Sequence, residues 1–204
     1  FRAATAQGPV IPVYVLDDEG AKHRRMGAAS RWWLHHSLAS LAADLEAAGS
    51  CLILRRGKSE EVLAALAAES GARAVHAMHH VEPWWRNAER AVGKVLDLTL
   101  HHGLYLAPPG SVLTGSGTPF KIYTPFWRAL QERMPPAPPL PAPKLSAPAN
   151  WPASERLEDW HLLPTKPDWA GGMRAEWTPG EGGAAQRLET FVRRAARYAE
   201  RRNL

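Results

Sequence analysis

Short apolar runs alternate with amphipathic stretches along the first half of the chain, and this alternation limits the possible folds more than any other feature. Val10-Ile11-Pro12-Val13-Tyr14-Val15-Leu16 ends in Asp17-Asp18-Glu19-Gly20, a turn signal. Such a run suits a buried parallel strand, although Pro12 cannot donate to a sheet ladder. A helix is expected from about Ala28 to Ala48, where Leu34, Leu38, Leu41 and Leu45 recur on one face and Gly49 stops it. Cys51-Leu52-Ile53-Leu54 is the next strand. Ser59 is then expected to cap a helix with Glu60 and Glu61 in its first turn and Val62, Leu63 and Leu66 facing inward. Ala74-Val75-His76-Ala77-Met78 reads as a third strand, a polar helix follows from about Pro83 to His101, and Leu104-Tyr105-Leu106 reads as a short fourth strand. Strands and helices at these spacings imply an α/β chain, a mostly parallel sheet covered by helices on both faces. Ligands of such sheets bind at the carboxyl ends of the strands. The candidate loops are therefore Asp17 to Arg25, Arg55 to Lys58 and His79 to Arg86.

After Trp127 the pattern changes. Pro135, Pro136, Pro138, Pro139, Pro141, Pro143 and Pro148 make the region from Met134 to Pro152 an extended, semi-rigid linker. The stretch from Trp160 to Gly183 carries aromatics and glycines without periodicity. From about Ala184 to Arg202 the chain is helical again, with Leu188, Phe191, Ala195 and Tyr198 opposite Arg193, Arg194, Arg197, Arg201 and Arg202. An apolar stripe needs a partner, and no later segment of the sequence supplies one. Phe1 stands where an initiator methionine would, and the chain reads as a fragment.

Composition excludes several classes. At 204 residues there is room for one domain and a sizeable remainder. No run approaches the roughly 18 uncharged apolar residues of a membrane span, and no secretory signal opens the chain. One cysteine, Cys51, rules out an internal disulfide framework and fits a cytoplasmic location. A net charge of +5 is a mild bias toward polyanions.

The polar motifs are weak. His35-His36, His79-His80 and His101-His102 are adjacent pairs, which diverge on a helix and chelate poorly; no metal site is expected. His79 and His80 carry more weight because they sit at a strand's carboxyl end. Thr114-Gly115-Ser116-Gly117-Thr118-Pro119 lacks the Gly-Lys-Ser/Thr ending of a phosphate-binding loop and reads as a surface turn. Trp32-Trp33 belongs to the leucine helix and reads as core. Trp84-Trp85 reads as core or rim packing, at a place where an aromatic ring can stack on a ligand.

The block Pro108-Pro109-Gly110-Ser111-Val112-Leu113-Thr114-Gly115-Ser116-Gly117-Thr118-Pro119-Phe120-Lys121-Ile122-Tyr123-Thr124-Pro125-Phe126-Trp127 resembles the DNA photolyase and cryptochrome family. Val13 to Asp17, Arg31 to Leu38 and Glu82-Pro83 followed by Arg86 resemble further elements of its antenna domain in the same order. Trp169 to Gly172, Pro179 to Ala185, and the Leu188, Phe191, Tyr198, Arg202-Asn203 pattern resemble the lead-in to its helical domain. The bacterial cyclobutane-dimer photolyases are the nearest branch.

The resemblance implies a Rossmann-like antenna domain over 1–130, a Pro/Gly-rich interdomain linker over 131–185, and the start of a truncated all-α FAD-binding domain over 186–204. It implies a parent lyase that uses light and FAD to split pyrimidine dimers in damaged DNA. FAD would be held by the missing C-terminal domain, so no catalytic residue carries over and the fragment alone is expected to be inactive. An antenna chromophore would bind in this domain, with Asp17, Arg24, Arg31, Glu82 and Trp84 as candidate contacts. Folate-binding members carry an Asn-Glu pair about where Trp84-Trp85 stand, so a deazaflavin or flavin is expected over folate. The family's opening Trp-Phe-Arg-Arg-Asp-Leu-Arg strand is not matched. Its absence predicts an unpaired gap or edge in the sheet, lower stability, or edge pairing with a second copy. Two alternatives remain: a cryptochrome-type photoreceptor, and a small α/β nucleotide-binding domain unrelated to light that would bind at Thr114 to Thr118.

Overall fold

The computed structural model describes residues 1–18 and 25–202. In chain order the elements are α1 (Arg2–Thr5), β1 (Val13–Leu16), α2 (Ala28–Ala47), β2 (Ile53–Arg56), α3 (Ser59–Ser70), β3 (Ala74–Met78), α4 (Pro83–Val92), β4 (Asp97–His101), α5 (Tyr123–Gln131), α6 (Gly171–Glu176), α7 (Glu181–Arg194) and α8 (Tyr198–Arg201). The described residues fall into two compact units, one of 1–10 and 57–152, the other of 11–18, 25–56 and 153–202. No helix among them is long and apolar enough to cross a membrane.

The fold is α/β, with parallel pairing throughout the named strands. In the first unit β3 pairs with β4 in register Ala74↔Asp97 to Met78↔His101. In the second, β1 pairs with β2 in register Val13↔Ile53 to Leu16↔Arg56. Each sheet has two strands among the described residues. In the second unit the far edge of β2 is covered without a strand. Glu155 donates its backbone N–H to the Leu54 carbonyl at 2.9 Å, Ser154 Oγ accepts from Leu54 N–H, and Glu155 Oε1 accepts from Arg56 N–H.

Trp160 fixes that covering segment. Its ring is 2% exposed and packs with Leu16, Leu38, Leu54 and Leu162 in one cluster. Tyr14 tilts against it at 6.1 Å. The indole N–H finds its partner in Glu155 Oε2 at 2.6 Å, and the Trp160 carbonyl accepts from Arg56 Nη2 at 3.2 Å. His161, at φ 48°, turns the chain out of the short 3-10 helix Leu157–Trp160.

Helix α2 ends with Gly49 at φ 76°, as the sequence predicts. Of its leucine stripe, Leu38 and Leu45 are buried, Leu34 packs at the edge of the core, and Leu41 is exposed. Four expectations are corrected. Lys58, not Ser59, is the N-cap of α3, and no side chain caps that end. The helix expected over Pro83 to His101 ends at Val92. Gly93 lies between it and the turn, and Asp97–His101 leaves helix for strand because β3 offers a five-residue parallel ladder. The true fourth strand is β4; Leu104-Tyr105-Leu106 is loop. The terminal helix is interrupted by a 3-10 turn at Ala195–Arg197.

Two outcomes are expected. Trp160→Ala removes a buried indole from the second unit's core and should cost about 3–5 kcal/mol in urea unfolding, whereas Trp160→Phe should cost less; equal loss for both would contradict the packing role. Fusing an apolar strand-forming segment ahead of Phe1 should raise the urea midpoint by pairing an open edge. An unchanged midpoint would show that the edges of the two sheets are not the weak points.

Candidate functional site

In the first unit, β3 delivers the chain into a short loop from His79 to Glu82, and α4 begins at Pro83, within the stretch His79 to Arg86 expected to be loop. Pro83 occupies the first helical turn, where its missing N–H costs nothing. Glu82 is the N-cap residue, but its side chain makes no capping bond. The side chain is 43% exposed, but its Oε2 is shielded from solvent and has no hydrogen-bond partner; His80 Nδ1 lies 3.9 Å from it. Trp84, in the same first turn, is 44% exposed. Trp85 packs at 5.5 Å against the His80 ring.

Glu89, one turn further along α4, holds this loop in place. Its Oε2 lies 3.0 Å from His79 Nδ1 and its Oε1 accepts the His80 backbone N–H at 2.8 Å. His102 meets the His79 ring edge-on at 5.4 Å. The sequence reading missed Glu89, although the seven-residue offset from Glu82 was a usable signal: it places both carboxylates on one face of α4. A shielded acceptor beside an exposed indole can take a planar ring that carries an N–H donor.

His76 and His101 stack with 13° between ring planes and share a hydrogen bond, Nδ1 to Nε2, at 2.9 Å. Burial, followed by the neighbouring imidazole, lowers the His76 pKa below the ordinary histidine value. Among the described residues no three metal-ligating groups converge.

In the second unit Arg31, on the first turn of α2, pairs with Asp18 at 2.5 Å. Asp17 follows β1 and is partly buried; the Arg31 guanidinium is joined to its neighbour Asp18. Arg24 lies outside the described residues. Burial raises the Tyr14 pKa, and the Asp18 charge adds to the effect. The expected contacts thus divide between units, Asp17 and Arg31 in one, Glu82 and Trp84 in the other.

The same helix carries a second polar-aromatic face. Trp32 is 1% exposed and its Nε1 has no partner; neither have His35 Nδ1 and His36 Nε2. The Trp32 and His36 rings meet edge-on at 4.5 Å. Desolvation lowers both histidine pKa values, and each has a further charged neighbour, chiefly His36 for His35 and Arg174 for His36. Trp32 is core, as expected, but Trp33 is not. It is 37% exposed and meets Trp177 edge-on at 5.9 Å, while Arg187 lies over the Trp177 ring at 4.8 Å. A one-residue step rotates a helical side chain by about 100°, so Trp33 cannot share the burial of Trp32.

The Thr114 to Thr118 loop is the surface turn anticipated. Leu113 and Pro119 form an antiparallel bridge, and the three hydroxyls of Thr114, Ser116 and Thr118 bond one another at 2.9–3.3 Å. Beside it a cavity of about 470 Å³ is lined by apolar groups, among them Leu104, Leu106, Val112, Phe126 and Leu130.

Comparison with known proteins agrees with this architecture. The family model described as DNA photolyase matches residues 1–144. A deoxyribodipyrimidine photo-lyase of Agrobacterium fabrum is 44% identical over 191 residues, covering 91% of this chain and 39% of its own length. Cryptochrome-1 of Arabidopsis thaliana is 30% identical over 201 residues, 93% of this chain and 29% of the relative. Among solved structures, a bacterial class III photolyase from Agrobacterium tumefaciens superposes with a TM-score of 0.83 at 41% identity, over 94% of this chain and 41% of that one. The chain therefore spans about two fifths of the photolyases it matches. Sequence and backbone agree over nearly its whole length, and the chain belongs to the DNA photolyase family.

Proposed function

We propose that this chain is the antenna-chromophore domain and interdomain linker of a deoxyribodipyrimidine photo-lyase, a light-driven enzyme that splits pyrimidine dimers in DNA with FAD. The observation that carries the reading is the 44% identity to a protein of that name across 91% of this chain. The assignment of 1–130 to the antenna domain, 131–185 to the linker and 186–204 to the start of the helical FAD domain belongs to the same proposal, as does a cytoplasmic location. The exposed apolar groups on α7 and α8, Leu188, Phe191, Val192 and Tyr198, support packing of the rest of the helical domain against them. FAD and damaged DNA are then partners of the whole protein.

Glu82 and Trp84 are the residues best suited to hold an antenna chromophore in this domain. The indole offers a face to a planar ring, and the unpartnered Glu82 Oε2 offers an acceptor to one of its N–H groups. Asp17 and Arg31 belong to the other unit and Arg24 lies outside the described residues, so this proposal rests on Glu82 and Trp84. The chromophore supplies light absorption and transfer of excitation; the protein supplies position and electrostatics. Lack of the Asn-Glu pair supports a deazaflavin or flavin. Stacking on Trp84 alone suits the pterin ring of methenyl-folate equally well, so competition between the three is the deciding experiment.

The cryptochrome reading is kept because cryptochrome-1 is 30% identical over 93% of this chain. Family membership displaces the unrelated nucleotide-binding domain, and the self-bonded hydroxyls of the Thr114 to Thr118 turn offer that reading no support.

The full-length parent should repair thymine-dimer DNA under blue light and not in the dark, and residues 1–204 alone should repair nothing. Flavin binding without repair would move the parent to the cryptochromes; repair by the isolated chain would overturn the division of labour. In the same parent, Trp84→Ala should weaken antenna binding by roughly tenfold, about 1.4 kcal/mol, leaving repair driven by direct flavin excitation. Binding that survives Trp84→Ala and Glu82→Gln together would place the chromophore elsewhere, and preference for methenyl-folate would reverse the flavin expectation.

A further inference from the structure

Between Arg133 and Ser146 the chain carries a feature that light capture and repair do not use. Six of the nine positions from Pro135 to Pro143 are proline, and the segment contains neither helix nor strand. Proline fixes φ near −65° and donates no backbone hydrogen bond, so such a segment favours the left-handed polyproline helix of three residues per turn. At that period Pro135, Pro138 and Pro141 fall on one ridge, Pro136 and Pro139 on the next, and Leu140 shares the third with Ala137 and Pro143.

A plain spacer would need only stiffness. Two observations go further. Every residue from 135 to 142 is exposed, and Leu140 is 71% exposed, an apolar side chain at the middle of the strip that the described residues leave uncovered. Both ends are tied to the same unit: Arg133 donates through Nη2 to the Ser111 carbonyl at 2.9 Å, and Val10 N–H donates to the Ser146 carbonyl at 3.2 Å. The strip is held out, rather than left as a slack tether. Arg133 and Lys144 flank it, and no Asp or Glu occurs between 133 and 154.

We propose that Pro135–Pro143 is a docking strip for a protein partner whose groove is lined by aromatic side chains and rimmed by acidic ones. Polyproline ridges fill such grooves, and the exposed carbonyls accept from indole and phenol donors on the groove wall. The prolines give up little conformational freedom on binding, so a small contact suffices. Leu140 supplies the apolar anchor, and Lys144 meets the acidic rim.

The test uses the full-length parent, titrated into isotope-labelled domains of the SH3 and WW types as probes. The expected result is saturable shifts at the groove aromatics of at least one probe, weakened roughly tenfold by Pro138→Ala with Pro141→Ala. Leu140→Asp, which keeps every proline, should weaken binding similarly. Circular dichroism and light-driven repair should be unchanged in both variants, which separates this inference from the repair reading. No saturable shift with either probe would overturn it. So would undiminished binding by the variants, or protection of Leu140 from hydroxyl-radical labelling in the free parent, which would mean that the protein's own chain covers the strip.

Discussion

The burial of Trp160 holds the second unit together. One indole closes the apolar cluster of Leu16, Leu38, Leu54 and Leu162, and its N–H is satisfied by the carboxylate of Glu155. Burying an unpaired indole N–H would offset part of the gain from the ring. Here the same carboxylate uses its other oxygen to accept from Arg56 on β2. A single side chain therefore satisfies the indole and covers a strand edge, which joins packing and hydrogen bonding in one interaction. Breaking either contact leaves a polar group without its partner.

The candidate site rests on a different balance. Glu89 spends both oxygens on the loop that leads into α4, and so fixes the direction in which Glu82 and Trp84 project. Glu82 keeps an acceptor in reserve. A shielded carboxylate oxygen without a donor is unfavourable, and a donor reaching it would recover that cost. The neutral histidines of α2 show the same economy. Desolvation favours their uncharged forms, and His36 meets the Trp32 ring edge-on.

Much of this was legible from residue pattern. Ala74–Met78 is the strand that its apolar run and flanking residues indicate, and α2 spans the length its leucines and Gly49 imply. The errors have a common cause. Pro83 to His101 reads as one helix because its charges and apolar residues fit that period locally, yet Asp97–His101 gains a ladder only when β3 lies beside it. Trp33 reads as core because its neighbour is. Arg31 pairs with Asp18, and that pairing is set by how β1 and α2 are placed rather than by any local motif. Local sequence does not encode such partners; the family motif at 108–127 identifies the fold without stating them.

The covering of β2 by residues a hundred positions later bears on how the protein is made. Leu54 bonds Ser154, and Trp160 packs on Leu16, so the second unit's core cannot close until the ribosome has delivered both ends. Most of the first unit, 57–152, lies inside that interval and includes its own β3–β4 ladder. It can assemble during synthesis while β1 and α2 wait with their apolar faces open. The inserted unit therefore matures before the one that encloses it in sequence, and a pause in translation between about 60 and 150 would leave the early segments most in need of a chaperone.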